Sequence, residues 1–216
     1  RFIMDEKQTI LHKAHTELGA KFTEFAGYSM PVQYRQGIMK EHLHTRDAAG
    51  LFDVSHMGQL KVTSKENDFS QLINSLETLM PADLCGLEVN RQCYSFLMNE
   101  SGGLLDDLMI ANRGDHFLLV VNAAKKEDDF KHIDSKIGRH CDIEWLSDRA
   151  LIAIQGPLAE KVVSRFSDQF HSMRFLDCMN INILGTICWV SRSGYTGEDG
   201  FELSIPNNVA EKIVLE

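Results

Sequence analysis

The sequence predicts an α+β protein in which antiparallel sheets carry packed helices. Two glycine-rich turns, at Gly102-Gly103 and within 193–200, each lie between strand-like segments. Such turns are typical of hairpins, whose two strands pair antiparallel. Amphipathic helices lie elsewhere in the chain, and the clearest spans 67–80, where apolar residues recur at helical spacing. Hairpins and amphipathic helices in one chain indicate the α+β class.

Length and charge limit the kinds of partner that the protein can have. At 216 residues the chain has room for one large or two modest domains. The net charge of -9 argues against a nucleic acid bound through its phosphates. No apolar run approaches the roughly 20 residues of a membrane span. We therefore expect neither a nucleic acid nor a membrane as partner.

The cysteines and the chain ends indicate the setting of the protein. The five cysteines show no CxxC spacing, so we expect reduced and mostly buried thiols rather than disulfides or a zinc site. No signal-peptide pattern stands at the start. The chain begins with Arg1 and ends at Glu216 inside a predicted helix, so we expect the natural protein to continue.

Helical periodicity and strand-like runs predict the order of the elements. Predicted helices cover 4–18, 36–49, 67–80, 123–137, about 157–166 and a final segment from Asn207. Predicted strands cover 51–62, 93–98, 108–112, 117–122, 142–146, 151–156, 180–190 and the segment around Glu202. Segment 21–34 begins with strand-like alternation and leads into a loop dense in aromatics, either a core-lining loop or a pocket wall.

The segment Glu100–Leu108 carries two adjacent acids, Asp106 and Asp107, between apolar runs. On a strand these side chains point to opposite faces. One of them would then face inward and need a partner or a ligand, because an unpaired buried charge is costly. The alternative is a solvated hairpin turn with both acids in water.

The second glycine-rich segment, 191–204, carries Tyr195 and another acid in an apolar setting, Glu202. Close approach of the backbone to a ligand suits a loop with this many glycines and acids. Glycines alone are weak evidence, because ordinary hairpin turns also use them.

Other polar positions favour structural roles. Asn122, at the end of a buried strand, is expected to cap the following helix, with ligand contact as the alternative. His56 is expected to be a hydrogen-bonded core histidine. His42 and His44 fall on different helix faces, so the sequence predicts no metal site. Phosphate-loop, dinucleotide and serine-hydrolase motifs are absent from the sequence.

Six segments in order resemble the glycine cleavage system T protein family, the aminomethyltransferases. They are Ala20–Tyr34, Glu41–Gln59, Gly102–Leu108, Val120–Ala124, Ala153–Pro157 and Ser191–Leu203. The resemblance implies a clover-leaf fold of three domains around a central folate site. It implies a discontinuous first domain (1–60 and 147–216), a second domain (61–146) and a C-terminal barrel domain that is missing from this chain.

The resemblance also implies a reaction and site residues. Tetrahydrofolate takes the aminomethyl carbon from the dihydrolipoyl arm of the H protein, which yields methylenetetrahydrofolate and ammonia. Asp107 takes the family's catalytic position as the inward acid of the pair, with Asp106 as the structural partner. Asn122 and Glu202 take folate-contacting positions, with Glu202 on the pterin. The predicted binding residues also include Tyr195, Met57 in a block that lines the pocket entrance, and Met109.

The implied cofactor is tetrahydrofolate as one-carbon acceptor, without a metal. The implied partner is the lipoylated H protein, in the bacterial cytoplasm or in the mitochondrial matrix of a eukaryote. Chemistry agrees with these roles, because a carboxylate can accept both N–H groups of a pterin fork. A partly buried carboxylate can also manage a proton and stabilise an iminium-like cation.

Two departures from the family pattern stand out. The missing C-terminal part carries basic residues that face the folate, so we expect the chain alone to lack part of the site. In addition, Ile110-Ala111 stands where the family often has an aromatic.

Two other functions remain open at this stage. One is a related folate-dependent demethylase, or the folate domain of a sarcosine or dimethylglycine dehydrogenase. The other is a non-catalytic folate-binding module like the iron-sulfur-assembly relatives. Those carry a cysteine in a loop that here reads Gly194-Tyr195-Thr196-Gly197.

Overall fold

The computed structural model describes residues 6–216, so the predicted first two residues of the first helix, 4 and 5, lie outside the described residues. The chain forms two compact units. One comprises the described residues up to His56 with Asp148–Phe175 and Met179–Glu216, and the other comprises Met57–Ser147 with Leu176–Cys178. The domain edges predicted from the sequence stay a prediction, because compactness alone does not test independent folding.

The helices of residues 6–216 are short to medium in length. In chain order they are α1 (His12–Glu17), α2 (Ile38–Asp47), α3 (Phe69–Glu77), α4 (Lys126–Ile137), α5 (Ala159–Val163), α6 (Gln169–Ser172) and α7 (Asn207–Leu215). The prediction of helices near 36–49, 67–80, 123–137 and from Asn207 is confirmed, whereas the first helix covers only part of 4–18.

The strands form three open sheets within the described residues. In chain order they are β1 (Lys21–Phe25), β2 (Tyr28–Gln33), β3 (Gly50–Asp53), β4 (Gly58–Ser64), β5 (Arg91–Met98), β6 (Leu104–Asn112), β7 (Phe117–Val121), β8 (Cys141–Trp145), β9 (Arg149–Gln155), β10 (Cys178–Ile183), β11 (Thr186–Arg192) and β12 (Gly200–Pro206). The sheet orders are β1-β2, β10-β11-β12-β9-β3 and β5-β6-β7-β4-β8.

Each five-stranded sheet buries one face under helices. In the first unit, apolar side chains of β9, β11 and β12 pack against those of α5, α6 and α7. In the second unit, the core joins β4, β6 and β7 to α3 and α4. The ladders of β11-β12-β9-β3 and β5-β6-β7-β4-β8 are antiparallel. The predicted α+β class with antiparallel sheets and packed helices is confirmed.

Three segments differ from the prediction because turns interrupt them. The predicted strand 51–62 is two strands of different sheets, with an Asx turn between them in which Ser55 N–H donates to Asp53 Oδ1 at 3.0 Å. The predicted strand 180–190 is a hairpin that turns at Leu184-Gly185, where φ is 50° and 86°. Segment 21–34 is the β1-β2 hairpin rather than a strand and a loop.

A buried polar chain joins α1 to β2 and β3 in the first unit. Tyr34 Oη lies 2.8 Å from His15 Nδ1, and His15 Nε2 lies 3.0 Å from Asp53 Oδ2. Burial alone would raise the pKa of Asp53, but hydrogen bonds from His15 and Ser55 outweigh it and hold the pKa below 3.8. The carboxylate is therefore stabilised as an anion.

We expect Asp53→Ala to lower the free energy of unfolding by about 2 kcal/mol, because it leaves buried donors unpaired. The depressed pKa means that this contribution is present above the unfolded pKa near 3.8 and is lost as pH falls through the folded value. Urea unfolding at pH 7 measures the loss, and Asp47→Ala, an exposed position on α2, is the control. Equal stability of the two variants would contradict the expectation.

Candidate functional site

The β5-β6 hairpin carries the acidic pair Asp106-Asp107. A hydrogen-bonding Asn99 side chain stabilises its turn, and a β-bulge follows the turn. Asn99 Oδ1 accepts hydrogen bonds from the N–H groups of Ser101 at 3.0 Å and Gly103 at 2.8 Å. The register then slips, since Leu97 pairs with Asp106 whereas Met98 pairs with Leu104. A bulge of this kind redirects the side chains that follow it. The predicted hairpin at Gly102-Gly103 is confirmed.

The two acids lie on opposite faces of β6. Leu108 and Ile110 belong to the core, so the alternation of the strand places Asp106 on the helix-covered face. Asp107 and Met109 lie on the other face, and both acids are half-buried. Asp106 therefore takes the covered position, while Asp107 is available on the open face. The expectation that Asp107 is the inward acid is wrong, because Leu108 and Ile110 fix the alternation that turns Asp106 to the core.

Asn122 binds both acids together. Its Nδ2 donates to Asp106 Oδ1 at 3.0 Å, to Asp107 Oδ1 at 3.0 Å and to the Asp107 backbone oxygen at 3.1 Å. The expected helix cap is wrong, because α4 has Lys125 as its N-cap residue and no side-chain cap bond. The short amide lies one residue beyond β7, where the β6-β7 pairing brings it beside the acids.

Two aromatic side chains of β5 lie beside Asp107. Phe96 pairs directly with Asp107, and Tyr94 pairs with Met109. The two rings pack edge to face with centroids 5.2 Å apart. Partial desolvation, followed by the influence of Asp107, raises the pKa of Tyr94, so its hydroxyl stays protonated. Asp107 thus accepts from the Asn122 amide and has the neutral Tyr94 phenol nearby.

Asp129, a buried residue in the first turn of α4, lies close enough to Asp106 for that acid to influence its pKa. Asp129 is only 3% exposed. Burial, followed by the hydrogen bond to Asp106 and the charge of Asp106, raises the pKa of Asp129 to about 7. The second unit therefore holds three acids and one amide in one contiguous cluster.

Glu202 occupies the centre of the other five-stranded sheet. It pairs with Ser191 on β11 and with Ala153 on β9, while its neighbours Phe201 and Leu203 belong to the core. Burial raises the pKa of Glu202 to about 7, against the opposing effect of the hydrogen bond that Ser193 Oγ donates at 3.3 Å. This carboxyl group therefore lacks the strong donors that would fully stabilise its charge.

The loop before β12 is held from two sides and carries Tyr195. Gln155 Oε1 accepts the N–H of Tyr195 at 3.1 Å, and Gln155 Nε2 donates to Ser193 O at 3.3 Å. A Cβ on Gly200 would lie 2.3 Å from Gln155 Oε1, so glycine is required there. Burial and then the charge of Glu202 raise the pKa of Tyr195, so it is a neutral phenol with 58% exposure.

Arginines fix the ends of this loop. Arg192 Nη2 contacts Asp199 Oδ2 at 2.6 Å and Glu160 Oε2 at 2.7 Å. Arg46 on α2 donates to the Thr196 backbone oxygen at 2.7 Å and to Glu198 at 3.0 Å. These contacts hold the loop against the body of the first unit.

The structure thus brings the predicted site residues together in two clusters. Asp107, Asn122 and Met109 share the β6-β7 end of the second unit, and Tyr195 and Glu202 share the β11-β12 end of the first. Met57 lies half-buried in the turn before β4. His56 is buried as predicted, and its ring lies edge-on to Phe25 and Tyr28.

Sequence reasoning missed three members of these clusters: Tyr94, Asp129 and Gln155. Asp129 carried a usable signal, because it shares the helical spacing of Ile133 and Ile137 and so falls on the buried face of α4. Tyr94 and Gln155 carried none beyond their places on strands, since the residues near Tyr94 lie on another strand and the partners of Gln155 lie in the loop between β11 and β12.

A cavity of about 410 Å³ in the first unit lies apart from these predicted residues. It is lined by β2, α2 and β3 side chains, among them Val32, Tyr34, Glu41 and Phe52. None of the predicted site residues lines it.

The described residues contain no group of three or more His, Cys, Asp or Glu that could hold a metal ion. Within the same part of the chain, no helix is long and apolar enough to span a membrane. The cysteines are unpaired, with Cys141, Cys178 and Cys188 buried, as predicted.

Comparison with known proteins gives consistent matches. The GCVT N-terminal domain family matches residues 11–216. A mitochondrial aminomethyltransferase of Dictyostelium discoideum is 43% identical over 96% of this chain and 53% of its own length. An aminomethyltransferase of Thermoanaerobacter sp. (strain X514) is 43% identical over 96% of this chain and 57% of its own. The chain thus spans about half the length of the curated relatives it matches.

Solved structures match in the same way. The glycine cleavage system aminomethyltransferase T from Bartonella henselae superposes with a TM-score of 0.88 at 35% identity, over 98% of this chain and 56% of that one. A heterotetrameric sarcosine oxidase from Corynebacterium sp. U-96 superposes with a TM-score of 0.59 at 14% identity, which shows a shared fold alone.

Proposed function

This chain belongs to the GCVT N-terminal domain family, and from this premise we propose that it serves as the tetrahydrofolate-dependent aminomethyltransferase of the glycine cleavage system. In this reaction a folate nitrogen attacks the aminomethyl carbon carried on the lipoyl sulfur. The products are methylenetetrahydrofolate, ammonia and the reduced dihydrolipoyl arm. The names of the curated relatives, which are aminomethyltransferases, support the assignment.

The observation that carries the proposal is the presentation of Asp107. Its carboxylate lies on the open face of β6, oriented by the Asn122 amide, with the neutral Tyr94 phenol nearby. A carboxylate held in this way can take a proton from the attacking folate nitrogen and stabilise the cationic carbon that forms. We assign Asp107 the catalytic role, with Asn122 and Met109 beside the bound folate.

Glu202 and Tyr195 are the proposed pterin contacts. A pterin presents ring N–H and amino donors in a fixed fork, and a carboxylate can accept both. Glu202 has a raised pKa and one weak donor in the Ser193 hydroxyl, so such a fork would supply the hydrogen bonds that its charge lacks. Tyr195 offers a phenol and a flat ring, and Met57 contributes apolar surface.

The proposed partner is the lipoylated H protein, which presents the aminomethyl group. The proposed setting is the bacterial cytoplasm or the mitochondrial matrix, since relatives named for mitochondria and relatives from bacteria both match. The sequence alternatives, a folate-dependent demethylase and a non-catalytic folate module, draw no support from these relatives.

The direct test is aminomethyl transfer by the complete gene product. The protein is mixed with aminomethylated lipoyl H protein and tetrahydrofolate, and methylenetetrahydrofolate and ammonia are measured together. We expect both products in equal amounts and only with lipoylated H protein. Tetrahydrofolate binding without either product would instead support the non-catalytic alternative.

A further inference from the structure

Asp106 on the helix-covered face of β6 and Asp129 on the buried face of α4 each carry a buried carboxylate oxygen, Oδ2, without a donor among the described residues. Two neighbouring carboxylates cannot both be ionised at low cost in such a place. A proton shared between the two groups would satisfy both oxygens at once, with one group neutral and the other charged.

The surroundings decide which of the two acids is neutral. Asp106 Oδ1 accepts a hydrogen bond from the Asn122 amide at 3.0 Å. Asp129 is the more deeply buried and has no such amide donor among residues 6–216, and its pKa is raised to about 7 by burial and by Asp106. The charged groups that act on Asp129 are Asp106 from β6 and Asp128 and Lys125 from its own helix. Asp129 is therefore the neutral member at pH below about 7.

We propose that Asp129 is a positioning residue for the acidic site: its neutral carboxyl group donates to Asp106, and Asp106 in turn holds the Asn122 amide that orients Asp107. The chain of contacts runs from α4 through β6 to the residue after β7. The relevance of this chain to catalysis rests on the function proposed above for Asp107.

The proposal predicts how the positioning of Asp107 changes with pH. When Asp129 loses its proton, its negative charge repels that of Asp106. The carboxylate of Asp106 then either rotates or forms a stronger hydrogen bond with the Asn122 amide. The same Nδ2 that binds Asp106 also binds Asp107, so any movement of the amide changes how Asp107 is held. The open-face carboxylate is thus best ordered below the pH at which Asp129 ionises.

Side-chain NMR of the complete protein tests the coupling without any activity. The carboxyl carbons of the aspartates and the side-chain amide of Asn122 are followed between pH 5 and pH 8.5. We expect one aspartate and the Asn122 amide to shift with a common midpoint near 7. In the Asp129→Asn variant, the Asn122 amide signal should no longer shift with a midpoint near 7. In the control variant Asp128→Asn, which replaces an exposed acid of the same turn, this shift should remain. An Asn122 amide that does not respond, or responds equally in Asp129→Asn, overturns the proposal.

Transfer kinetics of the complete protein test the consequence for Asp107. Glu202 also titrates near pH 7, so the readout is the ratio of kcat in wild type to kcat in Asp129→Asn at saturating folate. We expect this ratio to fall about threefold between pH 6 and pH 8, because asparagine remains a neutral donor throughout. A ratio that is constant with pH overturns the positioning role. Absence of transfer in the wild type would refute the proposed function instead, and the NMR result would still decide the proton-sharing chain.

Discussion

Asp107→Asn is expected to lower kcat/KM for aminomethyl transfer by about 10³-fold, the range that general acid–base catalysis contributes. This loss corresponds to about 4 kcal/mol of transition-state stabilisation. The asparagine has nearly the shape of aspartate and can still accept the hydrogen bond of Asn122, so the fold should be preserved. What it lacks is the negative charge and the ability to take a proton from the folate nitrogen.

The measurement is the initial rate of methylenetetrahydrofolate formation with lipoylated H protein at pH 7.5. Asp134→Asn, an exposed position on α4, is the matched control and should retain full activity. Folate affinity should change by less than about tenfold in Asp107→Asn, because the main loss occurs in the transition state. A variant that keeps more than about a third of the wild-type rate would remove Asp107 from the chemistry.

Glu202→Gln is expected to weaken tetrahydrofolate binding by about 10²-fold at pH 8. The glutamine retains one acceptor oxygen but places an N–H₂ group against the donors of the pterin fork. The variant loses one charge-assisted hydrogen bond and places one N–H donor against another. Together these two effects account for a loss of about 10²-fold in tetrahydrofolate affinity, the order of magnitude expected for such changes. Calorimetric titration measures the change, and Glu211→Gln on the exposed side of α7 is the control.

The pH dependence of binding gives this expectation a second readout. The pKa of Glu202 is raised to about 7 by burial, so the carboxylate form is populated above that pH and is lost below it. Donor groups of the pterin bind the ionised form, and affinity in the wild type should fall about tenfold from pH 8 to pH 6. The tetrahydrofolate affinity of Glu202→Gln should not show this fall between pH 8 and pH 6. Parallel pH profiles in the two proteins would place the pterin elsewhere.

Much of the fold follows from local signals. Helices α3 and α4 were predictable because apolar residues of a helix recur every three to four positions along the chain itself. The β5-β6 hairpin was predictable because Gly102, with φ of 80°, adopts a turn conformation that other residues avoid. The errors came from short turns without a glycine pair, as at Asp53–Ser55, where a side-chain hydrogen bond ended the strand.

The residues of the candidate site were predictable from charges in apolar segments rather than from periodicity. Asp107 and Glu202 stood out because charge in an apolar setting is costly and calls for a partner. The resemblance to a family then suggested roles for them. Neither source indicated that Asp106 raises the pKa of Asp129 or that Tyr94 lies near Asp107. Neither indicated that Asn122 binds both acids and leaves α4 without a side-chain cap.

The sequence by itself determined the α+β class, the hairpin that carries Asp106 and Asp107, and the opposite facing of these two acids, since all three depend on neighbours a few residues apart. Only the tertiary structure decided which acid is covered by a helix, which one is open, and what holds each in place. Those answers depend on the pairing of β6 with β5 and β7 and on the packing of α4, which bring together Tyr94, Asn122 and Asp129 from distant points of the chain. Long-range pairing of this kind leaves no periodic pattern in the sequence, because each partner is specified by the fold as a whole.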